Sequence, residues 1–157
     1  MAKTTPATLA LSKAGVTFEL CPYDYDPDAA RVGLQAAQAL GKDPEQVFKS
    51  LMVLVDDKPA CVVLPSDCEV SMKKLAAALA GKSAQMMKPA DAERLTGYKV
   101  GGVSPFGQRK QVPTIIDETA QLFDQVLINA GQRGLLLAIA PADALTVSRA
   151  KWADISA

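Results

Sequence analysis

From Val47 to Leu64 the chain reads VFKSLMVLVDDKPACVVL, and this stretch restricts the fold more than any other. Two apolar runs rich in β-branched residues flank the polar DDKP. The pattern predicts antiparallel strands over Phe48 to Val55 and Ala60 to Leu64, joined as a hairpin by a four-residue turn. One residue disturbs the first run: Lys49 is the only charge among the nine residues VFKSLMVLV. Upstream, TTPATLALSKAG reads as a helix with Pro6 in its first turn and Gly15 at its stop. Val16, Phe18 and Leu20 then alternate with polar residues as in a half-buried strand. The turn-rich CPYDYDPDAA leads into an Ala-rich helix that Gly41 closes after Leu40, and Lys42 to Gln46 forms a cap and one helical turn.

Downstream, Ser71 caps a helix over MKKLAAALAGK that ends at Gly81. SAQMM is a weak short strand, and Pro89 opens a short helix through Leu95. PTIID, QVLINA and LLLAIA are strand candidates with NAGQRG connecting the last two, and PADALTVSRA is a closing helix. Helices and strands intermingle without a βαβ rhythm, so the expected class is α+β: a mixed, mainly antiparallel sheet flanked by helices. The 157 residues show no repeat, linker or low-complexity segment, which predicts one domain over 1–157. No apolar run is long enough to span a bilayer and no signal peptide is read, so the expected location is the cytoplasm.

The chain contains no histidine. That excludes Ser-His-Asp and Cys-His catalysis, histidine-bearing zinc sites and the commonest general base near neutral pH. Cys21, Cys61 and Cys68 form no CxxC pair, so neither a disulfide framework nor a metal site is expected, and no cofactor is implied. Any catalysis must then use lysine, hydroxyls, carboxylates, backbone amides, water or groups of the substrate. The formal net charge is zero, so binding to nucleic acid would have to come from a local patch.

Such a patch adjoins TGYKVGGVSPFGQRKQVPTIID, from Thr96 to Asp117. Gly97 suits a helix stop, and Gly101-Gly102 suits backbone where a side chain would clash. Loops of this kind can aim successive N–H groups at an anion or a developing oxyanion, although glycine-rich turns are also common as plain structure. The segment lacks both the phosphate-loop and the dinucleotide-binding spacings. Arg109-Lys110 could meet phosphates or form a solvated turn. Lys49 either faces solvent or sits partly desolvated in a cleft, where it could orient a carbonyl, a carboxyl or a phosphate.

Taken together, QVFKSLMV, TGYKVGGVSPFGQRKQVPTIID and AGQRG resemble the YbaK family of aminoacyl-tRNA deacylases. That family is related to the editing domain inserted in bacterial prolyl-tRNA synthetases. The resemblance covers nearly the whole chain. It implies hydrolysis of the ester between a wrong amino acid and the terminal ribose of a tRNA, in the subgroup acting on Cys-tRNA(Pro) and Cys-tRNA(Cys), with the substrate's own thiol taking part. It carries Lys49, Gly101 and Gly102 over as catalytic residues. Tyr23, Phe48, Ser50, Val103, Ser104 and Pro105 follow as substrate-binding residues; for such a substrate the basic Lys99, Arg109 and Lys110 are expected to meet the tRNA backbone. The implied partners are mischarged tRNA and a prolyl-tRNA synthetase that delivers it. Relatives often carry an acidic residue where this chain has Leu136, which bears on the choice among cysteine, alanine and other small amino acids. Two other readings share the fold: a deacylase preferring Ala-tRNA(Pro), and a non-catalytic module binding an acceptor stem or a synthetase.

Overall fold

A computed structural model describes residues 4–26, 28 and 32–157. In chain order it contains α1 (Pro6–Lys13), β1 (Phe18–Pro22), α2 (Val32–Leu40), β2 (Phe48–Val55), β3 (Lys58–Pro65), α3 (Met72–Ala78) and β4 (Ala84–Met86). These are followed by α4 (Pro89–Thr96), β5 (Thr114–Asp117), a 3₁₀ turn at Glu118–Leu122, β6 (Val126–Gln132), β7 (Leu135–Ile139), α5 (Pro141–Ser148) and β8 (Lys151–Ala153). The class is α+β as expected, but the strands form two sheets instead of one. A five-stranded sheet runs β4-β2-β3-β5-β8, and a three-stranded antiparallel sheet runs β1-β7-β6.

The β2–β3 hairpin is the spine of the larger sheet, with Phe48 opposite Pro65 and Val55 opposite Lys58. Its turn is tighter than the four residues expected. Asp56 and Asp57 both have positive φ, at 49° and 65°. That is the two-residue geometry whose twist matches the strands it joins, so Lys58 and Pro59 already belong to β3. Both faces of the hairpin are covered, which is why its runs lack polar alternation. On one face Phe48, Met52, Cys61 and Val63 pack with Val126, Ile128, Leu137 and Ile139 of the smaller sheet and with Ala7 and Leu11 of α1. On the other, Val53, Val55, Val62 and Leu64 pack on Leu75 and Ala76 of α3. Each fully buried Leu or Ile contributes about 1.5–3 kcal/mol relative to exposure, so these layers hold the two sheets together.

The closing helix is not the end of the fold. Arg149 turns the chain out of α5 with φ of 56°, and β8 then pairs parallel to β5 from Ile115–Lys151 to Asp117–Ala153. Asp117 pins this addition: its Oδ2 accepts from the Ser156 hydroxyl at 2.8 Å and the Ile155 N–H at 3.3 Å. The sheets approach each other where Val47 bridges to Leu127. Beyond that point β4 covers β2 only from Val53 to Val55. The edge of β2 from Phe48 to Met52 therefore opens into the space between the sheets.

Candidate active site

Strand pairing dictates what this open edge presents. The Cys61 N–H donates to Pro113 O at 2.9 Å, so the odd-numbered residues of β3 turn their peptide groups away from β2. By the antiparallel register, Lys49 and Leu51 bond to β3, and the peptide groups of Ser50 and Met52 point outward. Met52 O accepts from the Met87 N–H at 3.1 Å, as this geometry requires. The N–H and C=O of Ser50 are left at the wall of a cavity of about 320 Å³.

Phe48, Met52, Met87, Ala92 and Val103 form an apolar wall, and Tyr23, Ala36, Val47, Asn129 and Leu136 face it. Met86 and Val100, both exposed, sit at the mouth. Lys49 also lines the space and is the one formally charged residue among the described residues that do. The Ser50 hydroxyl is buried and has no hydrogen-bond partner among the described residues. Burial raises the Tyr23 phenol above its usual pKa, so it stays a neutral hydroxyl at physiological pH.

The glycine-rich loop closes one side. α4 stops at Gly97 with φ of 83°, and the Tyr98 hydroxyl donates to Phe106 O across the loop at 2.5 Å. Gly101, with φ of 91°, reaches the cavity together with Val100 and Val103. Gly102 does not line it. Its N–H donates to Lys99 O at 2.8 Å, and a Cβ there would lie 2.8 Å from the Arg133 backbone nitrogen. Gly102 is thus required for close backbone approach, while its amide is already used. Ser104 and Pro105 are buried behind the loop. The Ser104 hydroxyl accepts from the Phe106 N–H at 3.3 Å, and Ser104 O accepts from the Gln108 side chain at 2.9 Å.

Of the residues singled out from sequence, Tyr23, Phe48, Lys49, Ser50, Gly101 and Val103 converge on the cavity, and Gly102, Ser104 and Pro105 shape the loop behind it. Arg109 and Lys110 lie elsewhere, in an open groove of about 500 Å³ with Leu54, Pro59, Asp91, Arg94 and Leu95; it meets the cavity at Met87. Lys99 is exposed and lines neither. Asn129 was missed, although an amide inside the apolar QVLINA is the same kind of signal as Lys49. Leu136, noted only as a departure from relatives, is a wall residue.

None of the three cysteines lines the cavity. Burial pushes the Cys61 thiol up to about 12, although Gln108 donates toward it, so it does not supply a thiolate. Among the described residues no group of His, Cys, Asp and Glu could hold a metal ion, and no helix is long and apolar enough to cross a membrane.

A fold of this kind, with a lysine-bearing cavity closed by a glycine-rich loop, defines an editing domain: residues 26–147 match the family of aminoacyl-tRNA editing domains, and the chain belongs to it. It is 38% identical over 122 residues to EbsC of Enterococcus faecalis, a protein named for Cys-tRNA(Pro)/Cys-tRNA(Cys) deacylation; the match covers 76% of this chain and 74% of that one. It is 30% identical over 108 residues to the proline–tRNA ligase of Shouchella clausii, covering 69% of this chain and 19% of the ligase. A crystal structure described as a trans-editing enzyme for prolyl tRNA synthetase shares the fold, with a TM-score of 0.82 at 23% identity over 99% of both chains.

Proposed function

We propose that this chain, acting as one domain over 1–157, is a trans-editing deacylase that hydrolyses the ester of a small amino acid on the 3′-terminal ribose of tRNA, with Cys-tRNA(Pro) as its main substrate. The observation that carries this reading is the convergence of Lys49, the unpartnered Ser50 hydroxyl and Gly101 on one small, mostly apolar cavity. Ester cleavage passes through a tetrahedral oxyanion, and one well-aimed donor is worth roughly 2.7–4 kcal/mol in such a site. The Gly101 N–H takes that role. Gly102, whose N–H is engaged, serves by letting the loop lie against the neighbouring backbone. Lys49 meets the terminal phosphate or the amino-acid end, and the Ser50 hydroxyl and peptide edge hold the aminoacyl group.

No histidine or carboxylate is among the described wall residues. The nucleophile therefore comes with the substrate, as the cysteine thiol, or as water. Water adding to the ester carbonyl gives the free acid directly, whereas the cysteine thiol gives a thiolactone that a water molecule then opens. In both cases the bond from carbonyl carbon to ribose oxygen breaks, and the proton released by the nucleophile goes to the ribose oxygen, which leaves as a hydroxyl. Phe48, Met52, Met87, Val103 and Leu136 suit a short thiol or methyl side chain. An apolar wall separates such close analogues by only about 1–3 kcal/mol per methylene, so alanine is admitted as a slower substrate.

Arg109 and Lys110, in the groove that meets the cavity at Met87, take the tRNA backbone, with Lys99 as a further contact. With zero net charge the chain holds free tRNA weakly, which favours delivery by a prolyl-tRNA synthetase in the cytoplasm. Proline tRNA charged with cysteine or with alanine separates the possibilities. Faster release of cysteine supports the proposal, faster release of alanine reassigns the preference, and binding without release points to a non-catalytic module.

A further inference from the structure

The AGQRG segment has no part in the chemistry so far, yet it touches the loop that does. Asn129 of β6, just before this segment, and Arg133 of the turn between β6 and β7 bond to consecutive carbonyls of that loop. The Arg133 Nε–H donates to Val100 O at 2.9 Å, and the Asn129 Nδ2–H donates to Gly101 O at 3.2 Å. Asn129 is itself fixed at the β6 bulge, where its Oδ1 accepts from the Gly131 N–H at 2.7 Å and the Gln132 N–H at 3.1 Å. Two donors on one atom and an acceptor at the other allow only one orientation of this amide. Arg133 is steadied in turn, its guanidinium lying 5.6 Å from the centroid of the Tyr25 ring.

Peptide planarity converts these contacts into an orientation. The described chain has no cis peptide bond, so each N–H points opposite to the carbonyl of its own peptide unit. Holding Val100 O toward Arg133 turns the Gly101 N–H the other way. Holding Gly101 O toward Asn129 sets the next peptide unit, whose Gly102 N–H closes onto Lys99 O. Without these anchors, a loop with glycines at 101 and 102 could rotate both units at little cost, because glycine takes either sign of φ.

We propose that Asn129 and Arg133 are positioning residues that preset the Gly101 N–H for the oxyanion, an inference that rests on the deacylase reading above. Asn129→Asp isolates the effect: the carboxylate keeps both acceptor bonds at the bulge and replaces the donor facing Gly101 O with an acceptor. Arg133→Met keeps a long stem against Tyr25 and removes the donor to Val100 O. For cysteine release from Cys-tRNA(Pro), Asn129→Asp is expected to lower kcat by about 10²-fold, the scale of one lost oxyanion donor. Arg133→Met lowers it less. Both leave KM near wild type, which a purely structural role would not; the thermal midpoint stays near wild type only in Arg133→Met, because Asn129→Asp buries a carboxylate oxygen against Gly101 O. An unchanged kcat in folded Asn129→Asp, or a raised KM with kcat intact, overturns the positioning role. If Asn129→Asp does not fold, the exposed Arg133 decides by the same criterion. A wild type that releases no cysteine overturns the deacylase reading itself, and an active wild type with unaltered variants overturns only this inference.

Discussion

Ser50 is the residue at which fold and function diverge. A buried hydroxyl without a partner costs roughly 1–3 kcal/mol, and nothing in the packing around Ser50 requires one. Its retention at the cavity wall makes sense if a bound ester satisfies it. Ser50→Ala is therefore expected to raise the thermal midpoint by a few degrees, since about 1 kcal/mol shifts a domain of this size by roughly 2–4 °C. The same variant slows deacylation. Calorimetry showing a lower midpoint with full activity would contradict the assignment. Lys49 was legible in the sequence because a charge inside an apolar strand needs a reason, whereas Ser50 came in only with the family resemblance. Asn129 offered the same kind of signal as Lys49, but while two of its bonds are local, the one to Gly101 O joins distant parts of the chain and lies beyond what spacing conveys.

Among the elements, β8 shows where sequence reading runs out. The hairpin announced itself through two long apolar runs around a polar turn. KWA is three residues long, and only its pairing with β5 makes it a strand. The division into two sheets is likewise a matter of long-range register, which no local pattern encodes. The attachment of β8 turns on Asp117, which is almost fully buried. Burial alone would raise its carboxyl, but the Thr119 N–H and hydroxyl, the Ser156 hydroxyl and the Ile155 N–H outweigh it and hold the group below its ordinary pKa of 3.8. A depressed native pKa stabilises the fold fully above the unfolded value, and the contribution disappears as pH falls through the native one. Asp117→Asn should accordingly cost about 1–3 kcal/mol near neutrality by denaturant titration. The gap to wild type narrows in acid, below about pH 5. A gap independent of pH would mean that the ionised carboxylate is not what secures β8.

On the scale of the whole molecule, a cavity forms because the short strand β4 leaves the edge of β2 uncovered, and a second groove begins where Met87 ends the first. Its cations, Arg94, Arg109 and Lys110, are partly offset by Asp91, which pairs with Arg94. The charge-reversed double variant Arg109→Glu, Lys110→Glu should raise KM for tRNA and flatten its salt dependence, leaving kcat nearly untouched. A loss confined to kcat would place these residues in the chemistry instead. The central claim is that a histidine-free cavity built around Lys49 hydrolyses the aminoacyl ester. Its most direct test is the rate of cysteine release from Cys-tRNA(Pro) by wild type and by folded Lys49→Ala. A charge-assisted contact worth about 1.5–3 kcal/mol predicts a fall in kcat/KM of roughly 10- to 150-fold. Release by the variant at the wild-type rate, or no release by either protein, would contradict the account.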